Sequence, residues 1–246
     1  MNKTACKSVF ITATDTDAGK TFVSSLLLQG IKQLKHTAIG VKPIAAGANA
    51  QGQNSDAVLL RQHSSYALPN VTEANLANKH PYAWYNPILL QQPVAPHLAA
   101  QLTGQQINET DLNQALQSWQ QQEVDLCVIE GAGGWLLPLN KQRYLSDWVV
   151  EHKLPVILVI GMKLGCLNHA MLTIREIERS GCHIIGWVAN CVDPDMQLLG
   201  QNVDDLQQRI AYPCLAVLPW YSASASTRAD KTNQAVKLAQ SVLALM

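Results

Sequence analysis

The sequence predicts a single α/β domain over residues 1–246, with a mainly parallel sheet and helices on both faces. Three observations carry that expectation. Short apolar runs alternate along the chain with segments whose apolar residues recur at helical spacing. The run Val156-Ile157-Leu158-Val159-Ile160 is apolar at every position, as in strands covered on both faces. The first such run, Ser8-Val9-Phe10-Ile11, passes through small and polar residues directly into a helical periodicity.

Taken in order, a first strand covers residues 8–13, and the helix after Lys20 carries Val23, Leu26, Leu27, Gly30, Ile31 and Leu34 on its apolar face. Residues 38–41 form a short second strand, expected beside the first, that delivers Lys42-Pro43 at its carboxyl end, where such sheets keep their chemistry. After the Gly- and Asn-rich loop 47–54, Ser55-Asp56 opens a helix through Leu59, Leu60 and Gln62. Residues 67–96 read as a long irregular region holding Pro69, Pro81, Pro87, Pro93 and Pro96, the kind of loop that shapes a pocket or an interface. In the Gln-rich stretch 101–122, Leu112, Leu116 and Trp119 share one helical face, which argues against low-complexity disorder. A third strand, 124–130, ends in Glu130-Gly131-Ala132-Gly133-Gly134-Trp135. Then come a helix over 144–151, a strand over 156–160, a turn at 163–168 and a helix to about Arg179. A strand over 184–189 ending at Asn190, a helix near 203–210, a strand over 215–218 and a last helix over about 231–245 complete the chain. No internal repeat and no linker rich in Gly, Pro or charge divides it.

With 246 residues, 48% of them hydrophobic, the chain can bury a full core. A formal net charge of +0, from 18 basic and 18 acidic residues, offers no general attraction for nucleic acid or an anionic membrane, so neither is expected as a partner. Cys6, Cys127, Cys166, Cys182, Cys191 and Cys214 include no C-x-x-C pair, as expected of buried thiols in a reducing compartment. The apolar run after Lys7 leads into Thr and Asp rather than a cleavage site, and the longest run, 154–162, is about half of a membrane span. A cytoplasmic location is the expectation.

The stretch Ala13-Thr14-Asp15-Thr16-Asp17-Ala18-Gly19-Lys20-Thr21 joins strand to helix and reads as a cradle for a nucleoside triphosphate, that is, a P-loop. Free N–H groups and the positive end of a helix dipole meet there; Lys20 can follow the β- and γ-phosphates, and the Thr21 hydroxyl can ligate magnesium. The strict pattern would need Gly where Thr14 stands, and the alternative is an ordinary capped turn with a solvent-facing lysine. Glu130, at a strand end, suits the magnesium shell or else caps the glycine loop after it. Asp56 is either a second ligand or a first-turn acid complementing a helix dipole. Lys42 either lies over a transferring phosphoryl group, where positive charge lowers the barrier most, or is a surface lysine before a turn.

Eight blocks in order, covering roughly residues 9 to 220, resemble the dethiobiotin synthetase family: Thr14 to Thr21, Lys42-Pro43, Asn54-Ser55-Asp56, Pro93 to His97, Glu130 to Trp135, Lys163 to Ala170, Gly186 to Asn190 and Leu218-Pro219-Trp220. The resemblance implies an ATP-dependent ligase of biotin synthesis that carboxylates 7,8-diaminononanoate with carbon dioxide and closes a ureido ring through a carbamic-phosphoric anhydride. It implies Mg2+ held by Thr21, Asp56 and Glu130, and Lys20 and Lys42 as the catalytic residues. Thr16, Asp17, Ala18, Gly19, Lys20 and Thr21 would hold the phosphates, and Asn190, Cys191, Pro219, Trp220 and Tyr221 the base. Thr16, Lys42 and Ala46 would meet the diamine, while Gly165, Cys166 and Asn168 would reach its carboxylate across a homodimer interface. For Asn190 the residue-level alternative is a strand-end turn, and for 163–168 an ordinary glycine turn. His97 and His169 are expected to be structural. Departures from the family pattern are Ala13 for Gly, Ala46 for a substrate-facing Ser, and no acidic residue in 221–227.

Two other classes fit less well. A partition- or switch-type P-loop ATPase would carry a further lysine early in the loop, and 13–18 has none. A glutamine-dependent amidoligase would need a glutaminase domain for which 246 residues leave no room.

Overall fold

The structure, a computed structural model, describes residues 6–65, 82–221 and 228–246. Along the chain run β1 (Lys7–Ala13), α1 (Lys20–Gln33), β2 (Ala38–Val41), β3 (Ile44–Ala46), α2 (Ser55–His63), β4 (Ile88–Leu90), α3 (Pro96–Thr103) and α4 (Glu109–Gln120). They are followed by β5 (Leu126–Glu130), α5 (Leu145–Glu151), β6 (Val156–Met162), α6 (Cys166–Arg179), β7 (Ile184–Cys191), α7 (Leu199–Arg209), β8 (Cys214–Leu218) and α8 (Arg228–Leu243). Six strands form one sheet in the order β2-β5-β1-β6-β7-β8, each neighbouring pair parallel, and β3 pairs parallel with β4 beside it.

The pleat sends alternate residues to opposite faces, and the sequence supplies an apolar residue to each. Val9, Ile11 and Ala13 of β1 meet α1 and α8, whereas Phe10 meets the layer built by α4, α5, α6 and α7. Trp119, Trp148 and Trp187 are fully buried in that second layer; cutting any of them to alanine costs about 3–5 kcal/mol. This is the single α/β domain with helices on both faces that the alternation of periods predicts.

Strand adjacency differs from the expectation. β2 does not lie beside β1; β5 runs between them, with Val41 opposite Ile129 and Ile11 opposite Glu130. No local signal says which strand neighbours which, and the result places Glu130 between the Lys42 strand end and the P-loop.

Boundaries shift in several places. The 101–122 stretch is divided at Gly104 (φ 67°), and the Asn108 side chain caps α4 by accepting from the Thr110 N–H. Tyr144 precedes α5 rather than belonging to it, α7 starts at Leu199, and α8 spans Arg228–Leu243 rather than 231–245. β7 continues to Cys191, so Asn190 is a paired strand residue opposite Leu218. The region read as irregular contains β4; residues 66–81, with Pro69 and Pro81, lie outside the described residues, as does 222–227.

Candidate active site

Because the six strands are parallel, their carboxyl ends share one edge, and the loops leaving β1, β2, β5, β6, β7 and β8 meet there. The loop after β1 is stitched to its neighbours. The Thr14 N–H donates to the Val159 carbonyl (3.0 Å), and the Gly161 N–H donates to Thr14 Oγ1 (3.3 Å). Asp15 accepts from the Thr16 N–H (2.7 Å) and from Lys163 Nζ (2.6 Å), an ion pair that holds its carboxyl below the usual range. A single 3-10 turn, Thr16–Ala18, then leads to Gly19, whose φ of +87° a side chain would strain. A Cβ there would also stand 2.2 Å from Asn190 Nδ2.

Lys20 Nζ donates back to the carbonyls of Asp15 (3.1 Å) and Thr16 (3.3 Å), and Asn190 Nδ2 donates to the carbonyl of Ala18 (2.9 Å). Three loop carbonyls are thus turned toward Lys20 and Asn190, and the amino end of α1 keeps N–H groups that the helix does not satisfy. That geometry suits phosphate oxygens.

Opposite the loop, Glu130 is fully buried, and its Oε1 accepts from the Thr21 hydroxyl (2.8 Å) and from Lys42 Nζ (2.5 Å). Lys42 Nζ also lies 3.1 Å from Asp56 Oδ2 and donates to the Gly131 carbonyl (3.4 Å). Asp56 is held at the start of α2, where the Asn54 side chain accepts from its N–H (3.1 Å). Thr16, Lys20, Thr21, Lys42, Ala46 and Asp56 line one cavity of about 490 Å³, whose other wall, with Pro93, Val94 and Leu137, is apolar. Two lysines 22 positions apart therefore face one space.

Their electrostatics differ. Burial, reinforced by the charge of Lys42, pulls the Lys20 ammonium down to about 8, while Glu130, Asp56 and Asp15 oppose the fall. For Lys42 burial also favours the neutral form, but Glu130 and Asp56 together outweigh it and raise the ammonium above its usual value.

The other expected site residues are distributed more widely. Pro219, Trp220 and Tyr221 line a second cavity of about 460 Å³ against α8, and the Tyr221 ring lies 5.4 Å from that of Phe22, next to Thr21. Asn190 and Cys191 end β7. Gly165, Cys166 and Asn168 begin α6 and are absent from the walls of the cavity that holds Lys42; Asn168 is exposed, Cys166 is buried, and the Cys166 N–H donates to the Lys163 carbonyl (3.0 Å). His169 is exposed, and the His97 Nδ1 is buried without a partner. Two contacts were not legible beforehand: the Asp15–Lys163 pair, which joins residues 148 positions apart, and the hold of Asn86 on the Lys42 carbonyl (2.8 Å). The only signal for Asn86 was an Asn-Pro step, which reads as a turn.

Magnesium fits the donor set. Glu130 Oε2 is buried with no hydrogen-bond partner, the Thr21 hydroxyl donates to the other oxygen of that carboxylate, and Asp56, which shares Lys42 Nζ with it, is a further hard oxygen donor. Among the described residues no group of three or more His, Cys, Asp or Glu gathers to hold a metal. No helix among the described residues is long and apolar enough to cross a membrane.

A family model described as an AAA domain matches residues 7–228. The ATP-dependent dethiobiotin synthetase BioD of Pseudoalteromonas translucida (strain TAC 125) is 42% identical over 229 residues, covering 92% of this chain and 96% of that protein. The ATP-dependent dethiobiotin synthetase BioD 1 of Escherichia coli (strain K12) is 37% identical over 236 residues, covering 95% and 98%. Among solved structures, the MinC:MinD cell division protein complex of Aquifex aeolicus matches with a TM-score of 0.60 at 12% identity, covering 97% of this chain and 96% of that one. Cobyrinic acid a,c-diamide synthase from Mycobacterium smegmatis, solved with an ATP analog and magnesium, matches at 0.56 and 13% identity, covering 97% and 94%. At those identities the structural likeness speaks to the fold.

Proposed function

The chain belongs to the dethiobiotin synthetase family of ATP-dependent ligases, and from that premise we propose that it carboxylates 7,8-diaminononanoate and closes the ureido ring of dethiobiotin. One amine of the diamine takes up carbon dioxide as a carbamate. A carbamate oxygen attacks the γ-phosphorus of ATP and ADP leaves, giving a carbamic-phosphoric anhydride. The second amine attacks the carbonyl carbon, phosphate leaves, and the ring closes.

The residues divide the work. Asp17, Ala18, Gly19 and Lys20 hold the phosphates at the head of α1. Thr21, Asp56 and Glu130 would hold Mg2+, which when bound neutralises charge on the phosphates. Lys42 sits across from Lys20 to draw the carbamate and the γ-phosphoryl group together, so that positioning and charge do most of the chemistry. Thr16 and Ala46 flank the diamine, and the apolar wall of the same cavity suits its carbon chain. Where a serine hydroxyl would reach the substrate, Ala46 offers only its backbone; its carbonyl is already engaged by Asn54 Nδ2 (3.3 Å), so the lost contact is worth about 1 kcal/mol of binding. Asn190, Cys191, Pro219, Trp220 and Tyr221 take the base.

The active unit in this reading is a homodimer with shared sites, in which Gly165, Cys166 and Asn168 meet the substrate carboxylate of the facing subunit. The 96% exposure of the neighbouring apolar Leu164 supports it. Each subunit in this reading is one domain over residues 1–246, and a cytoplasmic location agrees with six free cysteines.

The observation that carries the proposal is that Lys42 lines one cavity with Lys20, Thr21 and Asp56 while the buried Glu130 beneath binds both Lys42 and the Thr21 hydroxyl. Its test is phosphate release from ATP with and without the diamine and bicarbonate. Turnover that needs both supports ring closure; hydrolysis indifferent to the diamine sinks it and points to a switch-type ATPase.

A further inference from the structure

We propose that Asn86 is a positioning residue for Lys42, fixing the backbone from which the Lys42 ammonium reaches into the cavity; this rests on the role given to Lys42 above. β2 ends at Val41, the last residue paired with β5, so Lys42 stands one step beyond the ladder. The residue after it is Pro43, which has no N–H. Both backbone polar groups of Lys42 are nevertheless satisfied. Its N–H donates to the Tyr85 carbonyl (2.8 Å), and its carbonyl accepts from Asn86 Nδ2 (2.8 Å).

The same nitrogen donates to the Ile88 carbonyl (3.0 Å), and the Ile88 N–H donates to the Pro43 carbonyl (3.2 Å). One amide group thus ties the Lys42 carbonyl to that of Ile88, beside two backbone bonds that join 42–43 to 85–88. The lock is itself anchored, since the Asn86 N–H donates to the Tyr82 carbonyl (2.9 Å) and Trp119 Nε1 of α4 donates to the Trp84 carbonyl (2.8 Å).

The chemistry explains the amide. Two carbonyls must be met by two hydrogens on one short side chain, which Asn supplies and Asp, Leu or Ser does not. Asn86 is only 1% exposed and its Oδ1 is buried with no partner, so the donor half of the group is the half in use. Lys42 has a four-carbon stem, and a small tilt at its backbone swings Nζ away from both Glu130 (2.5 Å) and Asp56 (3.1 Å). A displacement of about 1 Å at a positioned group costs ~100-fold in rate.

The test uses full-length N86A and N86D, each checked for folding by circular dichroism, with kcat and the KM for ATP measured in the diamine-dependent assay. The expected result is a kcat lower by ~100-fold with the KM for ATP within about threefold, because the P-loop is untouched. K42A/N86A is expected to be no slower than K42A, since the residue acts through Lys42. A folded N86A with the kcat of the unmodified chain overturns the proposal, and so does a double variant that adds the full loss of N86A to that of K42A. If N86A does not fold, N86D carries the same comparison; failure of both to fold assigns Asn86 to stability and overturns the proposal as well. Absence of diamine-dependent turnover in the unmodified chain is a different failure, that of the reaction assignment, and is seen before any variant is made.

Discussion

Lys20 shows how one residue can weaken a fold that it makes useful. Burial beside Lys42 lowers its ammonium to about 8, against an ordinary value of 10.5. Below pH 8 the folded chain holds this charge at a cost, up to about 3 kcal/mol from the size of the shift. Between 8 and 10.5 the unfolded chain binds more protons than the folded one, so stability at this residue rises with pH and the cost fades. The variant K20M is therefore expected to unfold at a higher temperature than the unmodified chain at pH 7, and the gap is expected to narrow steadily as pH rises from 8 to 10. Calorimetry across that range checks it. A triphosphate favours the charged lysine, so the affinity of the unmodified chain for ATP is expected to fall above pH 8, by about tenfold per unit at the limit, in a binding titration.

At the scale of elements, α1 is pinned from both ends of its length. Its head is set by Gly19 against Asn190, and its far half by Gly30 against α8, where a Cβ would stand 1.9 Å from the Ala235 carbonyl oxygen. Neither helix can yield cheaply, since α8 buries Leu238, Ala239 and Val242 against the sheet layer that α1 shares. G30A gains about 1 kcal/mol of helix propensity but must push two backbones apart, for a net loss of about 1–3 kcal/mol. Chemical denaturation is the measurement; an unchanged midpoint would mean that α8 is not packed on α1 in this way. The same element logic explains Glu130. It needs a partner on each side, and β5 has the β2 strand end on one side and the P-loop strand on the other.

For the whole molecule, the homodimer with shared sites proposed above has a direct consequence. On that proposal K42A and N168A would each disable a site, but through different subunits. Mixed and reassembled, half of the dimers pair the two variants, and each of these holds one site with an intact Lys42 and an intact Asn168. Activity is expected to return to about one quarter of the unmodified level. Recovery no greater than the sum of the separate variants would mean that each chain completes its own site.

The chain order of the six main-sheet strands and of most helices, the P-loop and the separate candidacies of Lys42, Asp56 and Glu130 were legible from residue types and spacing, because periodicity and turn chemistry act over a few residues; β3, β4 and α3 were not. The family resemblance implied a common purpose for them. Tertiary structure alone decided that β5 enters between β1 and β2, that Lys163 pairs with Asp15, that Asn190 braces the P-loop through Ala18, and that Asn86 holds Lys42. Each of these joins groups 44 or more positions apart or depends on which strand settles beside which. Such choices are made by burial summed over the whole core, and no local pattern carries that sum.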